Sequence, residues 1–383
     1  IMFRMNLYKE FDFKVEKALG VTLIDTNGTR YLDTFSGIGV MALGHSHKDV
    51  LKAQQLQMNR FEHISNFFIQ DDAEDIAKIL VEHTHRTGQV FFTNSGTEAV
   101  EAALKAVKKK SQQTGKRKIM TFSNAFHGRT LGSLSLTGFE RMRKPFEPLL
   151  ENIIRIPFND VDKFRQAVDK HLDETVALFL EPIQGSGGVV KLDEAIAEII
   201  TNTMGKGNVL LICDEVQAGL GRTGKFYAYQ HLGLNPDIIT LGKAIGGGLP
   251  LGATVFLNGT ETIFQQGDHG STFAPNPVSL AGGKVVVQKI AQMLDEIDKK
   301  GAYFVSRIKT HEKIQQIRQT GLMIGITLTD PHPDLREKAQ QKGLLLNVLN
   351  DRIIRLLPAL NVEYSEIDEM TELLNQLLDA SAL

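Results

Sequence analysis

VLLICDEVQ at residues 209–217, followed by IITLGKAIGGG at 238–248, decides the fold. Each stretch opens as an unbroken apolar run. The first ends at an acid, Asp214, and the second at a lone lysine, Lys243, framed by glycines. A strand that is apolar at every position, rather than at alternate ones, lies in a sheet covered on both faces. The acid and the lysine then fall at the carboxyl ends of their strands, where a parallel α/β sheet binds its ligands.

Outward from these stretches the pattern repeats. Gln89–Thr93, Lys118–Phe122, Asn152–Ile156 and Thr175–Glu181 read as further buried strands, beside Val209–Asp214 and Asp237–Leu241. Helical periodicity fills Lys48–Phe61, Asp71–His85, Glu98–Lys110, Asp160–His171 and Asp193–Met204. Strands alternating with helices predict an α/β fold: a large domain with a mainly parallel central sheet covered by helices. The pattern changes near residue 280. One long helix over about Leu280–Lys313 is expected, then short strands at Leu322–Leu328, Leu344–Leu346 and Ile353–Leu356, and a closing helix at Ser365–Asp379. Near the start, Val21–Asp25 and Arg30–Asp33 flank the turn signal TNGT, which predicts a hairpin. The expected division is a large domain over 48–279 and a small α+β domain over 280–383, joined by the N-terminal segment 1–47.

Composition narrows the function. The 383 residues carry a formal net charge of −2, so no global field attracts nucleic acid or an anionic membrane. The basic stretch at 105–118 reads as a solvated helix end. The single cysteine, Cys213, excludes an intramolecular disulfide and reads as a buried thiol. The opening residues lack the apolar core of a secretory leader, and no apolar run reaches membrane-spanning length, so a cytoplasmic location is expected. The pairs His45/His47 and His83/His85 lack a carboxylate constellation around them, and no metal is expected.

Several residues at strand ends bear chemistry. Asn94-Ser95-Gly96-Thr97 precedes a helix and suits either a phosphate cradle or a plain N-cap. Asp214 suits either a pyridinium partner or a strand-end ion pair. Lys243 suits an imine-forming amine if its cleft is dry, or a surface position if not. Phe126 could stack on a flat ring, and Arg129 could fork onto a carboxylate. Glu181 ends another strand. Arg355, inside the apolar run IIRLLPAL, calls for a paired anion.

Taken in order, NSGTEAVEAA (94–103), FHGRTLGSLSLTG (126–138), EPIQG (181–185), DEVQAGLGRTGKFYAYQ (214–230), LGKAIGGGLPLGA (241–253), HGSTFAPNP (269–277) and IIRLLPAL (353–360) form one specific set. The chain resembles the class III pyridoxal-phosphate-dependent aminotransferases of fold type I, and among them the acetylornithine aminotransferases. The resemblance implies that Lys243 carries the cofactor as an imine and moves the proton, while Asp214 meets the pyridine nitrogen. It implies that Ser95, Gly96 and Thr97 surround the phosphate, Phe126 and Val216 sandwich the ring, and Gln217 meets the ring hydroxyl. Thr272 would reach the phosphate of a neighbouring subunit, which implies a homodimer with shared sites. Arg355 would grip the α-carboxylate of glutamate and 2-oxoglutarate, Glu181 would cover Arg355 when an ω-amine enters, and Arg129 would take the far carboxylate. The implied reaction is ping-pong transfer of the δ-amine of N-acetylornithine to 2-oxoglutarate, a step of arginine biosynthesis. Ornithine, succinylornithine and 4-aminobutyrate are alternative donors. Two positions depart from the family pattern: Ser186 stands where a glutamate is usual, and Pro275 where a glycine is usual.

Overall fold

The computed structural model describes residues 3–379. Its centre is a seven-stranded sheet in the order Gly88–Thr93, Gly252–Leu257, Ile238–Leu241, Leu210–Asp214, Thr175–Leu180, Lys118–Phe122, Ile153–Ile156. Every residue of Thr175–Leu180, Leu210–Asp214, Ile238–Leu241 and Gly252–Leu257 is buried, as their continuous apolar character predicts. Neighbours from Ile238–Leu241 to Ile153–Ile156 pair in parallel. Gly252–Leu257 runs antiparallel to the strands on both sides. The sequence pattern did not separate this strand from the glycine-rich turn before it, although GATVFL is as apolar as its neighbours.

Register places the charged residues level with one another. Cys213 pairs with Leu180 on one side and with Ile239 on the other, so Glu181 and Asp214 leave the sheet side by side. Side chains alternate across a strand. Asp214 therefore faces the ligand edge, while Glu215 turns away and accepts the amides of Ala228 (2.8 Å) and Tyr229 (2.7 Å). Cys213 is buried, and burial holds its thiol well above the ordinary range.

The helix Gly96–Thr114 starts where Ser95 Oγ accepts the Glu98 amide at 3.3 Å, and ends at Gly115 with φ 75°. It lies against the central sheet, and Thr254 Oγ1 donates to its Ala99 carbonyl at 2.9 Å. In place of one helix over 280–313 there are two, Pro277–Ala291 and Leu294–Arg307. Asn276 caps the first through the Val278 and Ser279 amides. The second restarts with Asp295 and Glu296 in its first turn, which suits the positive end of a new helix. The residues after it form the strand Ile314–Thr320, the edge of a sheet with Met323–Leu328, Ile353–Leu356 and Asn347–Leu349. Its half-polar sequence hid it from the pattern. The N-terminal hairpin of Thr22–Asp25 and Arg30–Asp33 gains an extra strand, Val15–Leu19, and shares a sheet with Leu344–Leu345.

The helix Pro277–Ala291 presses on the turn that follows Lys243. A Cβ on Gly283 would collide with the Ile245 carbonyl oxygen, whereas one on Gly205 would meet nothing within 4 Å. Gly283→Ala is expected to lower unfolding stability by about 1–3 kcal/mol, as overpacking does. Gly205→Ala is expected to stay within about 0.5 kcal/mol of the parent. Urea unfolding midpoints of the three proteins decide it, and equal midpoints would show that the contact gives way freely.

Candidate active site

The loops leaving the carboxyl ends of Gly88–Thr93, Lys118–Phe122, Thr175–Leu180, Leu210–Asp214 and Ile238–Leu241 enclose a cavity of about 490 Å³. Ser95, Gly96, Thr97, Phe126, Arg129, Glu181, Asp214, Val216, Gln217 and Lys243 all line it, from five separate segments of sequence, together with His127 and Ser186. A Cβ on Gly96 would lie 2.6 Å from Val216 Cγ1, so only glycine permits this approach of the two loops. Ser95 Oγ is taken by the helix cap, and the Thr97 hydroxyl contacts those of Ser133 (2.7 Å) and Thr130 (3.1 Å). What this loop offers an anion is therefore its backbone, the first N–H groups of a helix without internal acceptors.

Asp214 is buried and held on both oxygens. Val216 N donates to Oδ1 at 3.1 Å, and His127 Nδ1 donates to Oδ2 at 2.8 Å. Thr121 gives its one proton to the Leu136 carbonyl, so its oxygen is the acceptor for His127 Nε2 at 3.5 Å. Both ring nitrogens of His127 thus face acceptors. Burial opposes a charged ring here, but the hydrogen bond and charge of Asp214, with the charge of Glu181, outweigh it and raise the His127 pKa. His127 had no part in the sequence reading beyond its place in FHGRT. Its signal was positional: it sits one residue from Phe126, after the same strand.

Lys243 follows an extended Gly242 and has φ 51°, left-handed for a residue with a Cβ. Such a backbone costs about 1–3 kcal/mol and persists where surrounding packing enforces it. No hydrogen bond or ion pair is made by its amine among the described residues. The side chain faces the cavity but is otherwise enclosed by protein. Burial lowers its pKa to about 8; Arg355 pushes the same way, and Asp214 and Glu181 push against.

The substrate-facing groups are arranged differently from the expectation. Glu181 and Arg355 share no direct hydrogen bond or ion pair among the described residues, although the charge of Glu181 acts on Arg355. The Glu181 carboxyl accepts the amides of Phe126 (2.8 Å) and Gly185 (3.4 Å), because it lies just beyond its strand, where those N–H groups converge. Burial raises its pKa to about 7, opposed chiefly by His127. Arg355 instead donates from Nε to Asn347 Oδ1 (3.0 Å) and from Nη1 to Gln217 Oε1 (3.1 Å). Asn347 is its cross-strand neighbour. Among the described residues no carboxylate contacts Arg355 directly; burial lowers its pKa to about 10, and the charge of Glu181 opposes that fall. Arg129 is exposed, lies 5.6 Å from the Phe126 ring, and makes no ion pair among the described residues. Thr272 is exposed and outside the lining of the cavity. Its loop is tied down by Asn66 Nδ2, which donates to the Ser271 and Ala274 carbonyls, each at 2.8 Å, and by Asn94 Nδ2, which donates to Ser271 Oγ at 3.2 Å. Pro275 directly follows these anchors.

A sheet edge that gathers a strained lysine, a paired aspartate and a helix N-terminus around one cavity defines a cofactor-dependent enzyme of amine chemistry. The family model for class-III aminotransferases matches residues 5–378, and the chain belongs to that family. The acetylornithine aminotransferase of Aquifex aeolicus (strain VF5) is 40% identical over 376 residues, covering 98% of this chain and 99% of the relative. The crystal structure of N-acetylornithine aminotransferase from Stenotrophomonas maltophilia K279a superposes with a TM-score of 0.82 at 28% identity, over 96% of this chain and 95% of that one. An ornithine aminotransferase from Toxoplasma gondii, described with partial occupancy of PLP at its active site, superposes with a TM-score of 0.89 at 26% identity, over 98% and 92%. The cofactor of this class is pyridoxal phosphate. The residues present fit it: an unpartnered amine enters the cavity, a carboxylate faces it from a histidine pair, an aromatic ring lines it, and a helix begins at its edge.

An amine attacks an aldehyde only when neutral, and the neutral fraction of Lys243 grows as pH rises through its pKa. Capture of added pyridoxal phosphate by cofactor-free protein should therefore speed up with pH, with a midpoint at about 8. Stopped-flow absorbance over a pH series measures it. A midpoint near the ordinary lysine value of 10.5 would show that burial does not lower the pKa of Lys243.

Proposed function

We propose that this chain transfers the δ-amino group of N-acetylornithine to 2-oxoglutarate, yielding N-acetylglutamate 5-semialdehyde and glutamate. The observation that carries the reading is a pair of guanidinium groups without a direct carboxylate contact: Arg129, which lines the cavity that Lys243 enters, and Arg355, which lies behind the lining residue Gln217 and donates to it. Both partner substrates are acids, and glutamate is a diacid. The acetylornithine aminotransferases among the relatives support the choice of donor. The reaction belongs to arginine biosynthesis and to the cytoplasm on this reading. Among the described residues no helix is long and apolar enough to cross a membrane.

Pyridoxal phosphate, when bound, supplies an electron sink for the carbon that bears the amine. The chain's own groups do the rest. Lys243 holds the cofactor, then takes and returns the proton on that carbon. Asp214, fixed by His127, keeps the ring nitrogen protonated. The backbone of Gly96 and Thr97, with Ser95 beside them, binds the phosphate. Phe126 and Val216 fix the plane of the ring. Arginine has only donors, so Gln217 must turn Oε1 to Arg355, which frees its Nε2 for the ring hydroxyl. Arg355 reads the carboxylate next to the reacting carbon, and Arg129 reads the distant one. Glu181 keeps Phe126 in place through its amide. Thr272, exposed on an anchored loop, serves the phosphate site of a second subunit, so the working form is a homodimer with shared sites.

Adding N-acetylornithine without a keto acid to the yellow holoenzyme should bleach its visible band, and 2-oxoglutarate should restore it. A protein that ignores N-acetylornithine but bleaches with ornithine, succinylornithine or 4-aminobutyrate moves the donor and keeps the class. Lys243→Ala should reduce turnover by about 10²–10⁴-fold or more, the range of a lost acid–base group, while still retaining pyridoxal phosphate on dialysis. Turnover near the parent rate in that variant removes the lysine from the mechanism.

A further inference from the structure

Arg129 lines the cavity, and the backbone that carries it is gripped on both sides by one helix. Thr97 and Glu101 lie four residues apart on Gly96–Thr114 and so share a face. Before Arg129, Gly128 has φ 135°, and a Cβ on it would collide with the hydroxyls of Thr97 and Ser133. After Arg129, Thr130 Oγ1 donates to Glu101 Oε1 at 2.6 Å. Its one proton is spent there, so towards Ser133 Oγ (2.7 Å) and Thr97 Oγ1 (3.1 Å) it is the acceptor. The Ser133 amide donates to the same Glu101 oxygen at 3.0 Å. A Cβ on Gly132 would overlap the Glu101 carboxylate, so the chain passes directly over it. Glu101 makes no ion pair with Arg129 among the described residues. Its carboxylate holds the loop that follows the arginine, not the guanidinium.

We propose that Glu101 is a positioning residue for Arg129, acting through Thr130 and Ser133, and that it sets the length of diacid the site prefers. The inference rests on the transamination reading, in which Arg129 takes the far carboxylate. The helix that carries Glu101 also begins at the cavity, with the Gly96 and Thr97 amides that the reading assigns to the phosphate. One rigid element thus spaces the cofactor end of the site from the far-carboxylate end. A long, exposed arginine on a loose loop would follow acids of any length. One whose backbone is anchored on both sides favours the acid that spans a fixed distance, because less freedom is lost on binding. Without the Glu101 anchor the far end of the site loosens, while the end at Lys243 stays as it is.

Three amino acids test this on the holoenzyme of the parent, Glu101→Ala and Glu101→Gln. Glutamate is titrated by its bleaching of the visible band without keto acid. Norvaline, of glutamate's length but without the far carboxylate, and 2-aminoadipate, one methylene longer, are titrated as competitors of that bleaching. In Glu101→Ala the half-saturating concentration of glutamate should rise about three- to fivefold, the worth of a partly exposed ion pair, at a nearly unchanged saturating rate. The constant for norvaline should stay within about 1.5-fold, and the preference for glutamate over 2-aminoadipate should narrow at least about twofold. Glu101→Gln keeps an oxygen acceptor for Thr130 and Ser133 and should restore parent behaviour to within about twofold. Equal rises for glutamate and norvaline would mean general damage to the site. An unmoved constant for glutamate would mean that Arg129 needs no anchor. A glutamine variant as impaired as the alanine one would give the effect to charge instead of hydrogen bonding. Each of these results overturns the proposal. Thr130→Val removes the same hydrogen bond if Glu101→Ala does not fold. A parent whose band glutamate leaves unchanged fails the transamination reading first, and this inference with it.

Discussion

Ionisable groups buried where the parallel strands end are the constraint on which the site depends. Asp214, Glu181, Lys243 and Arg355 would each be expensive in isolation. They are tolerated because each is compensated in a different way. His127 pairs with Asp214, backbone amides solvate Glu181, neutral side chains and the charge of Glu181 hold Arg355, and the pKa of Lys243 falls. The parallel register makes these solutions interdependent. Cys213 sits level with Leu180 and Ile239, so Asp214, Glu181 and the lysine turn are brought together by the sheet rather than by their loops. A site built on strand ends inherits their rigidity.

The same constraint explains why Lys243 sits in a left-handed backbone. A lysine continuing the direction of Ile238–Leu241 would project along the sheet. The extended Gly242 and the left-handed turn redirect it into the cavity, and the helix Pro277–Ala291 closes on that turn from behind. The strain is local, and packing far from the amine sustains it. That helix is buried along most of its length, from Pro277 to Ile290, which is why glycines rather than larger residues stand at Gly282 and Gly283.

Much of this was legible in the sequence, and the exceptions have physical causes. Continuous apolar runs identified the central strands because burial on both faces leaves no alternation, and their ends identified Asp214, Glu181 and Lys243. Gly252–Leu257 escaped because an antiparallel strand in a parallel sheet needs no helix before it, so the strand–helix rhythm passes over it. Ile314–Thr320 escaped because an edge strand is half polar. The break after Ala291 escaped because both helices keep a helical period, and only their burial differs. His127 was invisible as a partner of Asp214, since 87 residues separate them and no local pattern marks a long-range pair.

Pairings between charges were the least legible layer. An arginine in an apolar run announces a need for compensation, and a glutamate at a neighbouring strand end looks like its answer. The three-dimensional arrangement answers otherwise, because local amides reach Glu181 before Arg355 can. The two arginines, Arg129 in the cavity lining and Arg355 behind Gln217, then differ in kind. Arg129 is solvated and rests on the face of Phe126, so a carboxylate there trades water for a partly exposed ion pair, which contributes little. Arg355 is already desolvated, so on the proposed reading a substrate carboxylate would gain a direct, forked contact that no protein carboxylate makes among the described residues. On the proposed reading, discrimination among acids would fall chiefly to Arg355, whose strength is set by the neutral amides of Asn347 and Gln217 and by the charge of Glu181.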